Sequence, residues 1–139
     1  STLASFVTAG AGVPVAKHGN YGVSSTCGSS NVLEFLGIRF SREEDFLRRC
    51  MEEAGICILH APLFHPAMKQ VAPIRRELGV KTFFNMLGPM VNPAFPKYQL
   101  VGVFNLELAR MVVDDSAGVL DWMKDHGVRF QKAISEPFT

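Results

Sequence analysis

Lys17-His18-Gly19-Asn20-Tyr21-Gly22-Val23-Ser24-Ser25-Thr26-Cys27-Gly28-Ser29-Ser30 is a run of small and polar residues set between two apolar patterns. Val13, Val15 and Ala16 come before it, and Val32, Leu33, Phe35 and Leu36 follow at helical spacing. A strand, a small-residue loop and a helix start, in that order, are how an α/β protein cradles phosphate. Glycines let backbone N–H groups approach an anion, and serine hydroxyls add compact donors. Lys17 adds a full positive charge. Glycine and serine alone would fit a solvated loop capping a helix. The uninterrupted Lys17-His18-Gly19-Asn20 favours an anion site, because no turn or cap requires it.

Working outward, Ser1 to Ala11 reads as a helix ended by Gly10 and Gly12, and Val13 to Ala16 as a short buried strand. The helix after the loop spans about Ser29 to Leu36 and stops at Gly37. Ser41-Arg42-Glu43-Glu44 has the form of a capping box, and Phe46, Leu47, Cys50, Met51 and Ala54 recur at helical spacing up to Gly55. Ile56 to Ala61 is a continuous apolar run suited to a covered parallel strand. Pro62 to Gly79 carries a helix with Pro66 at its first position and a kink or restart at Pro73. Lys81 to Leu87 predicts a helical turn ended by Gly88-Pro89, and Tyr98 to Phe104 a third strand. Asn105 then caps Leu106 to Val113; Ser116 to His126 reads as helical and Val128 to Phe130 as a strand. Strands alternating with helices make an α/β fold with a mainly parallel sheet flanked by helices.

The totals exclude several classes. The 139 residues suit one core, and 47% hydrophobic with 19% charged residues describes a globular chain rather than a disordered one. A net charge of +1 gives no bulk attraction to nucleic acid or to a membrane, so an anion site must be local. No run reaches transmembrane length. Cys27, Cys50 and Cys57 are odd in number and show no C-x-x-C spacing, which fits a reducing cytoplasm. The chain opens on Ser1 directly into helical sequence, so the reading expects residues before it.

Several further runs belong with the opening stretch: Ser1-Thr2, His65-Pro66-Ala67-Met68-Lys69, Val71 to Gly79, Phe84-Asn85-Met86-Leu87-Gly88-Pro89 and Asn92-Pro93. Together with Lys17 to Asn20, Val23 to Ser25 and Gly28-Ser29 they resemble the anthranilate phosphoribosyltransferase family of tryptophan biosynthesis, in order and near its spacing. The resemblance covers about residues 1–111, a partial phosphoribosyl-transfer domain. Residues 112–139 do not share it and are expected to pack on the same domain.

The resemblance implies an incomplete catalytic domain of the nucleoside phosphorylase/phosphoribosyltransferase type, with phosphoribosyl pyrophosphate and anthranilate as substrates and Mg2+ as cofactor. It assigns Ser1, Thr2, Lys17, His18, Gly19, Asn20, Ser24, Ser25 and Ser29 to phosphoribosyl pyrophosphate, Asn20 and Arg75 to anthranilate, and Ser1 to one magnesium. No catalytic acid or base is assigned. These residue types suit the chemistry. Pyrophosphate leaves a ribose carbon of oxocarbenium character, so its charge must be neutralised. Arg75 can grip a carboxylate through two parallel hydrogen bonds, and an aromatic amine needs orientation more than a strong base. By themselves, Arg75 reads as one of two arginines on a helix face, His65 as the N-cap before Pro66, and His60 as a satisfied core or edge histidine.

Departures from the family are specific. Its Gly-Thr-Gly-Gly-Asp loop and N-terminal helical domain, which carries the homodimer contact, are absent, and no Asp-Glu dipeptide occurs. Asp114-Asp115 reads as a helix end or turn, not as a metal site. Tyr21 stands where the family usually has arginine, and Cys27 where it has serine. Cys27 reads as a buried, inert thiol. The isolated chain is therefore expected to bind phosphate weakly and turn over little. A non-catalytic or chimeric folding module and a pyrimidine nucleoside phosphorylase-like enzyme are the alternatives, the latter disfavoured by Lys17-His18-Gly19-Asn20.

Overall fold

The strands β1 (Val15–Gly19) and β2 (Ile56–His60) pair in parallel, with Val15 opposite Ile56, Lys17 opposite Ile58 and Gly19 opposite His60. A computed structural model of the chain describes residues 2–22, 25–79, 84–102 and 105–107, with Arg110, Asp114, Gly118 and Asp125. Parallel strands need a crossover. Here it is made by α2 (Ser29–Phe35) and α3 (Glu44–Ala54), while α1 (Thr2–Gly10) leads into β1. After β2 come α4 (Ala61–Phe64), α5 (Met68–Leu78) and α6 (Phe84–Met90). The result is the expected α/β architecture, a small parallel sheet flanked by helices.

The core lies between β2 and α3. Leu47, Met51, Cys57, Leu59 and Phe64 form one buried cluster, with Ala16, Phe46, Cys50 and Leu63 packed against it. Burying each leucine removes apolar surface worth about 1.5–3 kcal/mol from water. Burial also pushes the Cys57 thiol up to about 12, with Cys50 adding to the effect. Gly55 ends α3 in the left-handed region at φ 66° and returns its N–H to the Met51 carbonyl. That turn feeds the chain straight into β2.

Several boundaries differ from the sequence expectation. β1 begins at Val15 and runs through Lys17, His18 and Gly19, because pairing with Ile58, Leu59 and His60 draws these polar residues into the sheet. The capping box does not close. Ser41 Oγ accepts the Glu43 N–H, Glu43 is the N-cap, and the Glu44 carboxylate turns to Arg48 at 3.1 Å. Pro66 lies in the turn between α4 and α5, and α5 continues through Pro73. α6 continues through Gly88 and Pro89. Residues 98–102 form no strand. Tyr98 and Leu100 are exposed, and a strand exists only where a neighbour takes its hydrogen bonds. Asn105 Oδ1 does accept the Glu107 N–H, as a cap should, at 2.7 Å. Ser1, Val23, Ser24, residues 80–83 and 103–104, and nearly all of 108–139 lie outside the described residues.

Candidate active site

β1 delivers Lys17 and His18 to opposite faces of the sheet, since successive strand residues alternate. The Lys17 side is closed by the loop that follows. Asn20 is its knot: the backbone carbonyl accepts the Ser30 N–H at 3.1 Å and the Ser29 hydroxyl at 3.4 Å, and Oδ1 accepts the Tyr21 N–H at 2.7 Å. Asn31 is a second knot, its Oδ1 accepting N–H groups from Gly22 at 3.0 Å and Gly28 at 2.9 Å. Gly28 has to be glycine, because a Cβ there would fall on the backbone of Tyr21 and Gly22.

This closure corrects one expectation. The N–H groups of Tyr21, Gly22, Gly28 and Ser30 are committed inside the loop, so they do not face an anion. Side-chain donors stand beside the closed loop. A Cβ on Gly19 would fall on Ser29 Oγ and lie 3.7 Å from Lys17 Nζ. The missing side chain of Gly19 is thus the space in which the ammonium and the hydroxyl approach each other. Lys17 is only 7% exposed, and among the described residues no carboxylate pairs with it. Burial lowers its pKa from the ordinary lysine value. A buried cation without a counter-ion is unfavourable, and an arriving anion supplies one.

The His18 side is organised by α6. His18 Nδ1 lies 3.1 Å from the Gly88 carbonyl, which can only accept, so the ring proton sits on Nδ1. Burial, reinforced by His65, brings the His18 pKa down to about 4, so the ring is neutral near pH 7. His65 meets it edge-on at 5.2 Å between centroids. Burial also lowers the His65 pKa, against the opposing effect of its bond to the Val91 backbone. Among the described residues, the Nε2 atoms of both rings are buried without a hydrogen-bond partner. Arg75, buried on α5, reaches Asn85 Oδ1 at 3.4 Å. Asn85 and Gly88, three residues apart on α6, share a helix face, so Arg75 and His18 converge on one element.

Thr2 opens α1, and Ser25 is exposed, with its hydroxyl donated to the Cys27 carbonyl at 3.1 Å. Ser1 and Ser24 lie outside the described residues. Cys27 is exposed, not buried. Tyr21 donates its hydroxyl to Glu34 at 3.2 Å. His65 is no N-cap: it follows α4, and its ring faces His18. Its place beside Pro66 hid it, although the run from His65 to Lys69 was itself a signal. Asn85, Gly88 and Asn92 also stand in runs the resemblance rests on, but nothing in those runs says which member reaches Arg75, His18 or β1. Asn92 is buried and donates to the Ala16 carbonyl at 3.1 Å, tying the segment after α6 to β1.

A family model described as the α/β domain of a glycosyl transferase family matches residues 1–127. An anthranilate phosphoribosyltransferase of Flavobacterium psychrophilum is 80% identical over 111 residues, which cover 80% of this chain and 34% of that protein. That of Bacteroides thetaiotaomicron is 60% identical over 111 residues, 80% of this chain and 33% of that one. The crystal structure of anthranilate phosphoribosyltransferase from Thermus thermophilus superposes with a TM-score of 0.69 at 44% identity, covering 89% of this chain and 36% of that chain. The chain spans about a third of the length of these relatives.

Proposed function

This chain belongs to the glycosyl transferase family through its α/β domain, and from that premise we propose that it carries part of the machinery that transfers phosphoribosyl from phosphoribosyl pyrophosphate to anthranilate. The observation that carries the reading is the buried Lys17 ammonium, with no carboxylate partner among the described residues, beside the Ser29 hydroxyl over Gly19. That pair takes the phosphate charge. Beyond the C-terminal end of β1, where the two faces of the sheet meet, Arg75 holds the anthranilate carboxylate and the side-chain amide of Asn20 orients the substrate. The Nε2 of neutral His18, without a partner among the described residues, accepts an N–H from the amine. The amine nitrogen bonds to the ribose carbon, the carbon–oxygen bond to pyrophosphate breaks, pyrophosphate leaves with the electron pair, and the amine proton passes to water.

Magnesium belongs to the proposal as the counter-ion that enters with pyrophosphate. Among the described residues no group of three or more His, Cys, Asp or Glu could hold it, and Ser1 lies outside them. The reading also takes the cytoplasm as the site of action. Among the described residues, no helix is long and apolar enough to cross a membrane. The family's homodimer contact, expected outside this chain, takes no part in it.

A thermal-shift titration with phosphoribosyl pyrophosphate and magnesium tests the reading. A ligand that binds only the folded chain stabilises it by about 2.7 kcal/mol at a hundredfold excess over its dissociation constant. The expected result is a rising melting temperature, with slow loss of anthranilate fluorescence only when both substrates are present. No shift at millimolar ligand would overturn it.

A further inference from the structure

His60 is a histidine that the proposed chemistry leaves unused. It closes β2 directly opposite Gly19, the residue over which Lys17 Nζ and Ser29 Oγ approach each other. Its ring is only 4% exposed and is gripped on two sides. Phe40 stacks on it with centroids 4.5 Å apart and planes inclined by 15°, and Tyr21 meets it edge-on at 4.7 Å. Ring rotation is therefore blocked, and Nδ1 is held 2.9 Å from the hydroxyl of Ser30, itself 1% exposed. Ser30 is the second residue of α2, and its N–H closes the loop onto the Asn20 carbonyl. Ser29, the hydroxyl of the candidate phosphate pair, is the residue next to it in that turn.

We propose that His60 is a positioning residue for phosphoribosyl pyrophosphate: through its hydrogen bond to Ser30, the clamped imidazole fixes the first turn of α2 and so holds the Ser29 hydroxyl beside Lys17. This rests on the reading of the site given above. The Asn20 carbonyl holds this turn through the Ser30 N–H at 3.1 Å and the Ser29 hydroxyl at a longer 3.4 Å, and the His60 bond adds the one side-chain anchor the described residues give Ser30, so losing it lets Ser29 drift from the ammonium. A bond between two buried side chains is the kind whose loss leaves a polar atom stranded. The aromatic grip decides where that bond points; the bond decides where α2 starts.

Two substitutions in the 139-residue chain separate positioning from packing. His60→Phe keeps a stacked ring and removes the bond. His60→Asn places an amide near the old Nδ1 position, keeping the bond and giving up the stack. Calorimetric titration with phosphoribosyl pyrophosphate and magnesium, melting temperature, and amide exchange at Ser30 without ligand are read on all three chains. Positioning predicts that His60→Phe loses about fivefold or more in affinity and exchanges faster at Ser30. His60→Asn stays within about twofold of the parent in affinity although it melts lower. A packing role predicts the reverse order of affinities, and that order, or equal affinity in all three, overturns the proposal. Should the parent chain show no binding, the substrate reading falls and the exchange arm decides the clamp alone. Faster exchange in His60→Phe than in the other two upholds it, and equal exchange in all three overturns it.

Discussion

The two faces of the β1–β2 pair are built from the same ten residues yet solve different problems. On one, Ala16, Cys57 and Leu59 close against Leu47, Met51 and Phe64 in an apolar cluster, with His18 at its end. On the other, Lys17 and His60 are as well buried as the core, but among serines, asparagine and aromatic rings. Burial is thus common to both faces, and only the first is explained by it. The apolar face stabilises the fold, whereas the polar face keeps a cation out of water, which no fold requires.

The sharpest way to break this comparison is to truncate equivalent side chains on the two faces. Leu59 is wholly inaccessible, and Leu59→Ala is expected to lower stability by about 2–5 kcal/mol through lost transfer energy and the cavity left behind. Ile58, half-buried and opposite Lys17, is expected to yield clearly less when changed to alanine. Urea unfolding with an unchanged slope measures both. Equal losses would mean that the two faces share the load.

The apolar face ends in His18, which makes the comparison sensitive to pH. The folded pKa of about 4 lies below the ordinary 6.5, so the folded chain binds fewer protons than the unfolded one. Stability from the neutral ring is then complete above pH 6.5 and is lost as the pH falls through 6.5 toward 4. That gap of 2.5 (6.5 minus 4) corresponds to about 3 kcal/mol. His60 and His65 are shifted in the same direction and steepen the loss. Urea midpoints between pH 7 and pH 4 should fall in the parent chain and fall less in His18→Asn, which keeps a donor toward Gly88. Parallel curves would remove His18 as the source.

How far these features were legible in the sequence depends on whether the cause is local. The α3 helix, its glycine stop and the apolar run of β2 follow from spacing and composition within a few residues. The length of β1 does not: Lys17, His18 and Gly19 read as loop until Ile58, Leu59 and His60, far along the chain, offer them hydrogen bonds. The same holds in reverse for residues 98–102, which pair with no strand among the described residues. Runs of sequence identified Lys17, Asn20, Ser29 and Arg75 as a group. They did not reveal that Asn20 and Asn31 would take up the amides of Tyr21, Gly22, Gly28 and Ser30, nor that α6 would join His18 to Arg75. Those are contacts between distant segments, and a single residue type does not announce its partner.

The smallest expected effect on stability is also the one that discriminates best. Lys17→Met keeps the length and bulk of the side chain and removes the charge. Were Lys17 held by a buried carboxylate, losing it would strand that carboxylate and cost about 3–5 kcal/mol. With none paired to it among the described residues, the substitution removes a desolvated cation, and stability should stay level or rise by about 1 kcal/mol. The same variant should lose the thermal shift induced by phosphoribosyl pyrophosphate, because the hydroxyl of Ser29 alone cannot offset the phosphate charge. A chain that is at least as stable yet no longer responds to the ligand is what a functional cation predicts. A destabilised chain that still responds would reassign Lys17 to the fold and leave the polar face without its anion.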